Sequence, residues 1–449
     1  MKQKAIDLGG TPVGRLFRQY LIPTLLGMVS MCFVTMADGI FVGRFVGPAG
    51  VAAVNIVWAP MMLLIGLGLM LGIGCSVVAS IRLAHGETER ARKAVTQALA
   101  TATLISTLAV ILMMASPAST CRLLGSSDAL MPLCVEYLLW MSPALVLNLW
   151  SIIGLFIVRL DGSPKYAMWC NVLPGLINIA LDFLFVYIMD MGLKGAALAT
   201  SVAIATGAGM AMWYLGAMAS QLRLKRLPLD GATLKDTWRN VLYQMRIGIS
   251  AFLGEATMAM LMFIGNRMFM LYLGDDGVAA FGIACYYCPF FFMIGNATAQ
   301  SAQPIISYNY GLGAWDRVRA TETLAIKTAL GFGVAVTALF VFCPRLMTEL
   351  FIDPTSQAAV YAIEGLPWFA SCVLWFIFNV TAIGYFQSVE RVVPSVAFAL
   401  MRGVLCLVPA FILVPMALGT AGLWLAVAFS EALTSMAIIL FYICNKRKG

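Results

Sequence analysis

Twelve stretches of twenty or more predominantly apolar residues recur along this 449-residue chain. They fall at approximately 20–43, 50–78, 94–116, 131–158, 165–189, 195–218, 246–272, 277–306, 324–343, 360–386, 393–415 and 421–443. About 20 such residues cross the hydrocarbon layer as a helix. In lipid a spanning segment must satisfy its own backbone groups, which a helix does. Composition closes the alternative: 11% of residues are charged, against about 25% in soluble domains. The expected fold is an all-α integral membrane protein of twelve transmembrane helices. Its first twenty residues are polar and basic with no cleavage site after a short apolar core, so no removable signal peptide is expected.

A net charge of +8 raises nucleic acid as a partner, but the distribution of that charge argues for a membrane. With the N-terminus placed in the cytoplasm, the N-terminal arm, the even-numbered loops and the tail "NKRKG" hold 23 of the 29 Lys and Arg. The odd-numbered loops hold four, Arg44, Arg122, Lys194 and Arg345, while Arg267 and Arg402 fall inside spans. That asymmetry is a positive-inside signal. It places both termini in the cytoplasm of a multi-pass membrane protein, with no nucleic-acid partner. The eleven cysteines are scattered mostly through spans, and "CYYC" at 285–288 reads as small packing residues. His85 is the one histidine, which leaves a zinc site or a histidine proton relay almost nothing to work with.

The chain is written twice. "FVGPAGVAAVNI" at 45 recurs as "YLGDDGVAAFGI" at 272, and "GETERAR" at 86 recurs as "GAWDRVR" at 313. Gly192, Gly195 and Ala199 return as Gly419, Gly422 and Ala426, so one offset of 227 holds across three separated segments. Residues 1–219 and 247–449 are therefore expected as two six-helix lobes, joined by a cytoplasmic linker at 220–246. Six is even, so both lobes enter the bilayer from the same side as parallel repeats, an arrangement found in secondary transporters. Duplication of this kind serves alternating access; a single catalytic pocket gains nothing obvious from it. The linker's basic residues are expected to fix topology and to carry no specific binding chemistry.

Ionisable residues inside spans are functional candidates, because a carboxylate at a helix centre costs about 2.5–3.5 kcal/mol on insertion scales. "LPGLINIALDFLFVYIMD" places Asn178 and Asp182 four residues apart on one helix face. Asp38 lies in the outer half of the first span and Thr200 early in the sixth. Counting helical rise puts Asp38, Asn178, Asp182 and Thr200 at one depth in one lobe. Two carboxylates with amide and hydroxyl oxygens suit a proton or a hard cation such as Na⁺; the bland alternative is separate packing residues. The offset of 227 carries positions 38, 182 and 200 to Gly265, Pro409 and Val427, so this set belongs to the first lobe alone. The second lobe carries Glu255, Glu364 and Glu431, with Arg267 and Arg402 expected to snorkel or to pair with these acids. The whole chain's 28 Met, 26 Phe, 14 Tyr and 10 Trp would suit flat cationic molecules wherever some of them line a binding surface.

The segments "ADGIFVGRFVGPAGVAAVN", "NIALDFLFVY" with "GLKGAALATSVA", and "QSAQPIISYNYGLGAWDRVR" resemble the multidrug and toxic compound extrusion (MATE) family, in its MepA-like or DinF-like prokaryotic branch. The likeness runs from about residue 10 to 440. It implies a MATE-type fold and an antiporter that expels cationic drugs or toxic metabolites against inward H⁺ or Na⁺. It further implies no cofactor beyond that coupling ion, lipid as the surrounding partner, and a functional monomer. The family's cation site would fall on Asp38, Asn178, Asp182 and Thr200. Glu255 matches a second-lobe acid of some relatives, but Asn379 stands near where an Asp is expected. Glu255, Asn379, Gln300 and Gln303 are the second-lobe substrate candidates.

Two other classes fit the sequence less well. A lipid-linked sugar flippase of related architecture would need a large cationic groove, whereas the placeable acids here outnumber the two intramembrane arginines. An integral-membrane enzyme would need a catalytic constellation, and the sequence offers no Ser/His pair, HExxH, Walker loop or metal cluster.

Overall fold

The computed structural model describes residues 6–225, 231–350 and 356–446, and no strand occurs among them. The chain builds α1 Val13–Phe41, α2 Pro48–Ala84, α3 Thr88–Ala115, α4 Pro117–Leu123, α5 Met131–Leu160, α6 Pro164–Asp182 and α7 Gly192–Trp213. There follow α8 Gly231–Gly311, α9 Trp315–Phe342, α10 Pro344–Glu349, α11 Gln357–Ser388, α12 Val392–Leu400 and α13 Leu407–Lys446. Four π-turns, Val42–Val46, Phe183–Ile188, Tyr214–Met218 and Met401–Leu405, continue α1, α6, α7 and α12. Among the described residues, ten stretches are long and apolar enough to cross a membrane. Two of them break internally, at Gly274 (φ 66°) and Gly419 (φ 61°), and the short Val392–Leu405 precedes the second. Dividing the long helices at those glycines gives the twelve crossings that hydropathy predicts.

The 227-residue repeat reappears in the backbone. Six of the eight glycines with positive φ among the described residues come in pairs at that spacing: Gly47 (90°) and Gly274 (66°), Gly86 (76°) and Gly313 (70°), Gly192 (58°) and Gly419 (61°). At Gly47 and Gly274 ψ lies at −176° and −156°, a region where any side chain would clash. Glycine there lets the chain leave one helix and enter the next within a single residue. The short helices α4 and α10 each start on a proline, at 117 and 344, again 227 apart. Proline suits a first helical position because the amide it lacks would go unpaired anyway.

Two compact units emerge: Met1–Phe252 with Ser307–Trp315, and Leu253–Ile306 with Asp316–Gly449. The first unit is held by α2 against α5, α5 against α7, and α1 against α6. The second has an aromatic core. Phe269 stacks on Phe281 at 4.5 Å and meets the edge of Trp424 at 4.8 Å, while a Cβ at Gly365 would collide with the Trp424 ring.

Residues 220–246, expected as a linker without binding chemistry, are structured on the first unit wherever they are described; 226–230 lie outside the described residues. The buried Asp161 carboxylate accepts from the backbone N–H groups of Ser220 (2.8 Å), Gln221 (2.8 Å) and Leu222 (2.9 Å), and from the Tyr214 hydroxyl (3.0 Å). Arg92 Nε donates to the Gln221 carbonyl at 2.7 Å. From residue 231 the chain is already α8. Its first turns are laced to α2 and α3 by Lys93–Asp236 (2.7 Å), Gln97 Nε2 to Thr237 Oγ1 (2.9 Å) and Arg82 to Asn240 Oδ1 (3.3 Å). Hydropathy alone misses this stretch because its polar residues bond to one another.

Candidate functional site

Close helix contact in the first unit begins with glycine. A Cβ on Gly175 of α6 would meet Val34 Cγ2 of α1 at 2.5 Å, and one on Gly27 would meet Asn171 Nδ2 at 3.3 Å. Small residues at such positions let helix backbones approach where no hydrophobic effect drives them together. α7 closes on the same place, since a Cβ on Gly195 would lie 3.1 Å from the Phe185 backbone. The C-terminal ends of α1 and α6 then both widen into π-turns, and Phe45 of one packs 5.0 Å from Tyr187 of the other. Asp38 lies one turn before the first π-turn, and Asp182 is the last residue before the second. Single π-turns inside α-helices are frequent at functional sites because they re-aim side chains.

These contacts assemble the four residues expected from the sequence. Asn178 Nδ2 lies 3.4 Å from Thr200 Oγ1, joining α6 to α7. Asp38 and Asp182 are close enough to interact electrostatically, and the Tyr137 hydroxyl of α5 feels both. Asp182 is fully buried, Asn178 and Tyr137 nearly so. Asp38 Oδ1 and both oxygens of Asp182 are buried and have no hydrogen-bond partner among the described residues. None of the ion pairs among those residues involves either acid. An unsatisfied buried polar group costs about 1–3 kcal/mol, more when charged. The cluster is thus a set of oxygen acceptors lacking a positive partner, which a proton or a hard cation would supply.

Tyr137 is the member that sequence reading missed. It sits in "VEYLLWM", where an aromatic in an apolar run has no periodic signal to set it apart from lipid-facing or packing tyrosines. Only the packing of α5 against α6, which brings its hydroxyl within electrostatic reach of both acids, sets it apart.

The second-unit candidates do not assemble in the same way. Glu255 is half-buried on α8 and has no hydrogen bond or ion pair among the described residues. Asn379 is fully buried and committed: its amide donates to Glu431 Oε2 at 2.7 Å and accepts from Ser435 at 2.8 Å. Gln300 and Gln303 are buried on α8, each with a polar interaction of its own. Of the two intramembrane arginines, Arg402 pairs with Glu431 at 2.7 Å, whereas Arg267 is exposed, as is Glu364.

A duplicated set of apolar helices enclosing unpaired acids is the build of a multi-pass membrane transporter. The chain belongs to the MatE family, whose profile matches it twice, over residues 23–184 and 251–412. It is a transporter and not an enzyme. Among its relatives are a FAD transporter of Shewanella oneidensis, 23% identical over 97% of this chain and 95% of that protein, and the multidrug export protein MepA of Staphylococcus aureus, 20% identical over 96% and 93%. Its fold matches solved MATE structures, including a multidrug resistance MATE transporter in an outward-facing conformation, with a TM-score of 0.90, 22% identity and full coverage of both chains.

Proposed function

We propose that this protein is a secondary active efflux antiporter that exports cationic, lipophilic small molecules in exchange for H⁺ or Na⁺ by alternating access. The observation that carries this reading is the pair of a fully buried Asp182 and a half-buried Asp38, mutually interacting and without a cationic partner among the described residues. Asp182 holds the coupling ion together with Asp38, while Asn178 and Thr200 supply amide and hydroxyl oxygens and Tyr137 a phenol facing both acids. Two acids so close take up and release protons as a pair. Either acid is costly to leave ionised in hydrocarbon, so the loaded and empty forms of the cluster favour different surroundings. Moving one charge inward yields about 2.3 kcal/mol per 100 mV of membrane potential, enough for a roughly fifty-fold substrate gradient at about 1.4 kcal/mol per tenfold.

The 227-residue repeat supports two lobes, with bounds at 1–219 and 247–449. The split of 23 cationic residues against 4 supports cytoplasmic termini in the bacterial inner membrane. The relative named as a FAD transporter makes flavin nucleotides the competing substrate class. The cationic class is favoured because the buried Arg402 of the second unit already spends its charge on Glu431, whereas Glu255 is an acid with no partner among the described residues.

Reconstitution in sealed vesicles tests the proposal. Ethidium and FAD are loaded separately, and pH and Na⁺ gradients are imposed one at a time. Ethidium flux driven by one of the two gradients is expected, and it should vanish in Asp182→Asn. Flux that ignores both gradients, or full coupling in Asp182→Asn, would remove the first-unit acids from the mechanism.

A further inference from the structure

In the second unit α11, the π-turn Met401–Leu405 and α13 meet around one closed set of charges. Arg402 Nε donates to Glu431 Oε1 at 2.7 Å, and each side chain is only 4% exposed. Asn379 Nδ2 donates to Glu431 Oε2 at 2.7 Å and to the Glu431 carbonyl at 2.8 Å. Ser435 donates to Asn379 Oδ1 at 2.8 Å and so fixes which way the amide points. The guanidinium carbon lies 4.1 Å from the centre of the Phe376 ring, whose face favours a cation. Both carboxylate oxygens are therefore filled by the chain itself, and Arg402 Nη2 is the one orphan of the set among the described residues.

The local backbone is built for this pairing. The π-turn holding Arg402 shifts the helix phase by about one residue relative to a regular helix. Gly403 beside it gives α8 room, since a Cβ there would collide with Thr257. The repeat shows that the pairing is specific to the second half. Counting back 227 from 379, 402 and 431 gives Ile152, Gly175 and Ile204, so the first half carries no charge at any of the three positions.

A carboxylate kept in hydrocarbon needs a neutralising partner, whether a proton, a free ion or a side chain. We infer that Arg402 is a tethered counter-cation: its guanidinium occupies, at Glu431, the place that a mobile ion would otherwise fill. Glu431 then takes no part in ion coupling, and the second unit moves without loading an ion at this acid. Its consequence for exchange stoichiometry rests on the antiport reading above; the counter-charge itself does not.

A charge-removal cycle on the full-length protein tests it. Glu431→Gln, Arg402→Gln and the double variant are purified in detergent, their thermal unfolding is followed, and ethidium flux is measured at matched protein amounts. Each single variant leaves one buried charge without its partner, so its unfolding midpoint should fall by on the order of 5 °C and its flux by about tenfold. The double variant removes both charges and should recover to within about 2 °C and about threefold of wild type. Arg402→Lys keeps a cation in place and should retain most of the flux. A double variant that unfolds like wild type but has lost gradient-driven flux would make the pair part of the coupling machinery and overturn the inference. So would Glu431→Gln with wild-type stability and flux. If the double variant does not fold, Arg402→Lys decides, and a folded Lys variant as impaired as Arg402→Gln counts against a simple counter-charge. A wild-type protein that moves no ethidium would defeat the antiport reading, while the thermal cycle would still decide the counter-charge.

Discussion

The two units bury acids in opposite ways. In the first, Asp182 and Asp38 present oxygens that nothing among the described residues satisfies. In the second, Glu431 has an arginine on one oxygen and an amide on the other. Both arrangements burden the fold, but differently. A satisfied pair offsets its desolvation with geometry and is hard to perturb. An unsatisfied pair keeps its cost until something else supplies the missing charge, and that makes it responsive. Duplication supplied two similar scaffolds, and the side chains made one a candidate ion site and the other a locked pair.

The sharpest way to break this comparison is to neutralise the open acids. Asp182→Asn should abolish gradient-driven flux, a loss of about a hundredfold or more, while thermal stability holds or rises because an unpartnered buried acid has gone. Asp38→Asn should behave alike, and the double variant should be little worse than either single one, since groups acting as one unit are non-additive. Flux measured in vesicles beside the unfolding midpoint separates the two effects. A folded Asp182→Asn protein with wild-type coupling would erase the contrast.

Tyr137→Phe sharpens the comparison within the first unit. It removes a hydroxyl that interacts electrostatically with both acids and keeps the ring, so flux should drop by about tenfold with little change in stability. An unchanged flux would reduce Tyr137 to packing. Glu255→Gln comes next, with a weakening of several-fold in resistance to several cationic compounds and normal membrane expression. Resistance unchanged across all of them would leave the second unit without any ionic contact to substrate.

The smallest effect concerns the stretch at 220–225 that Asp161 holds within the first unit. Asp161→Asn removes charge from a carboxylate that receives three backbone N–H groups, and should cost about 1–3 kcal/mol. The readout is faster proteolysis near residues 220–225 rather than lost transport. Flux lost in parallel with no new cleavage would mean that Asp161 acts on the transport cycle directly.

Sequence alone was enough for the parts governed by periodicity and solvent. Hydropathy gives twelve crossings because lipid forces every spanning segment into a helix. The offset of 227 was legible because glycines such as Gly47 and Gly274 hold backbone angles that other residues cannot reach, so the repeat survives at those positions even where side chains have diverged. Asp38, Asn178, Asp182 and Thr200 stood out because polar groups in hydrocarbon are conspicuous. Tyr137 did not, because a tyrosine reads the same whether it faces lipid, packing or a pair of acids. Nor could hydropathy tell Glu431 from Asp182: both are single acids in apolar runs, and the arginine that neutralises one of them arrives from another helix. The packing of residues 220–225 and of the first turns of α8 was hidden for a related reason, as their polar groups look solvated until Asp161 and α3 are seen to bind them. Chain chemistry thus determined what must cross the membrane and where it repeats. Which charges are satisfied was settled only by tertiary structure, because a buried charge is defined by partners that sit far away along the chain and a few ångströms away in space.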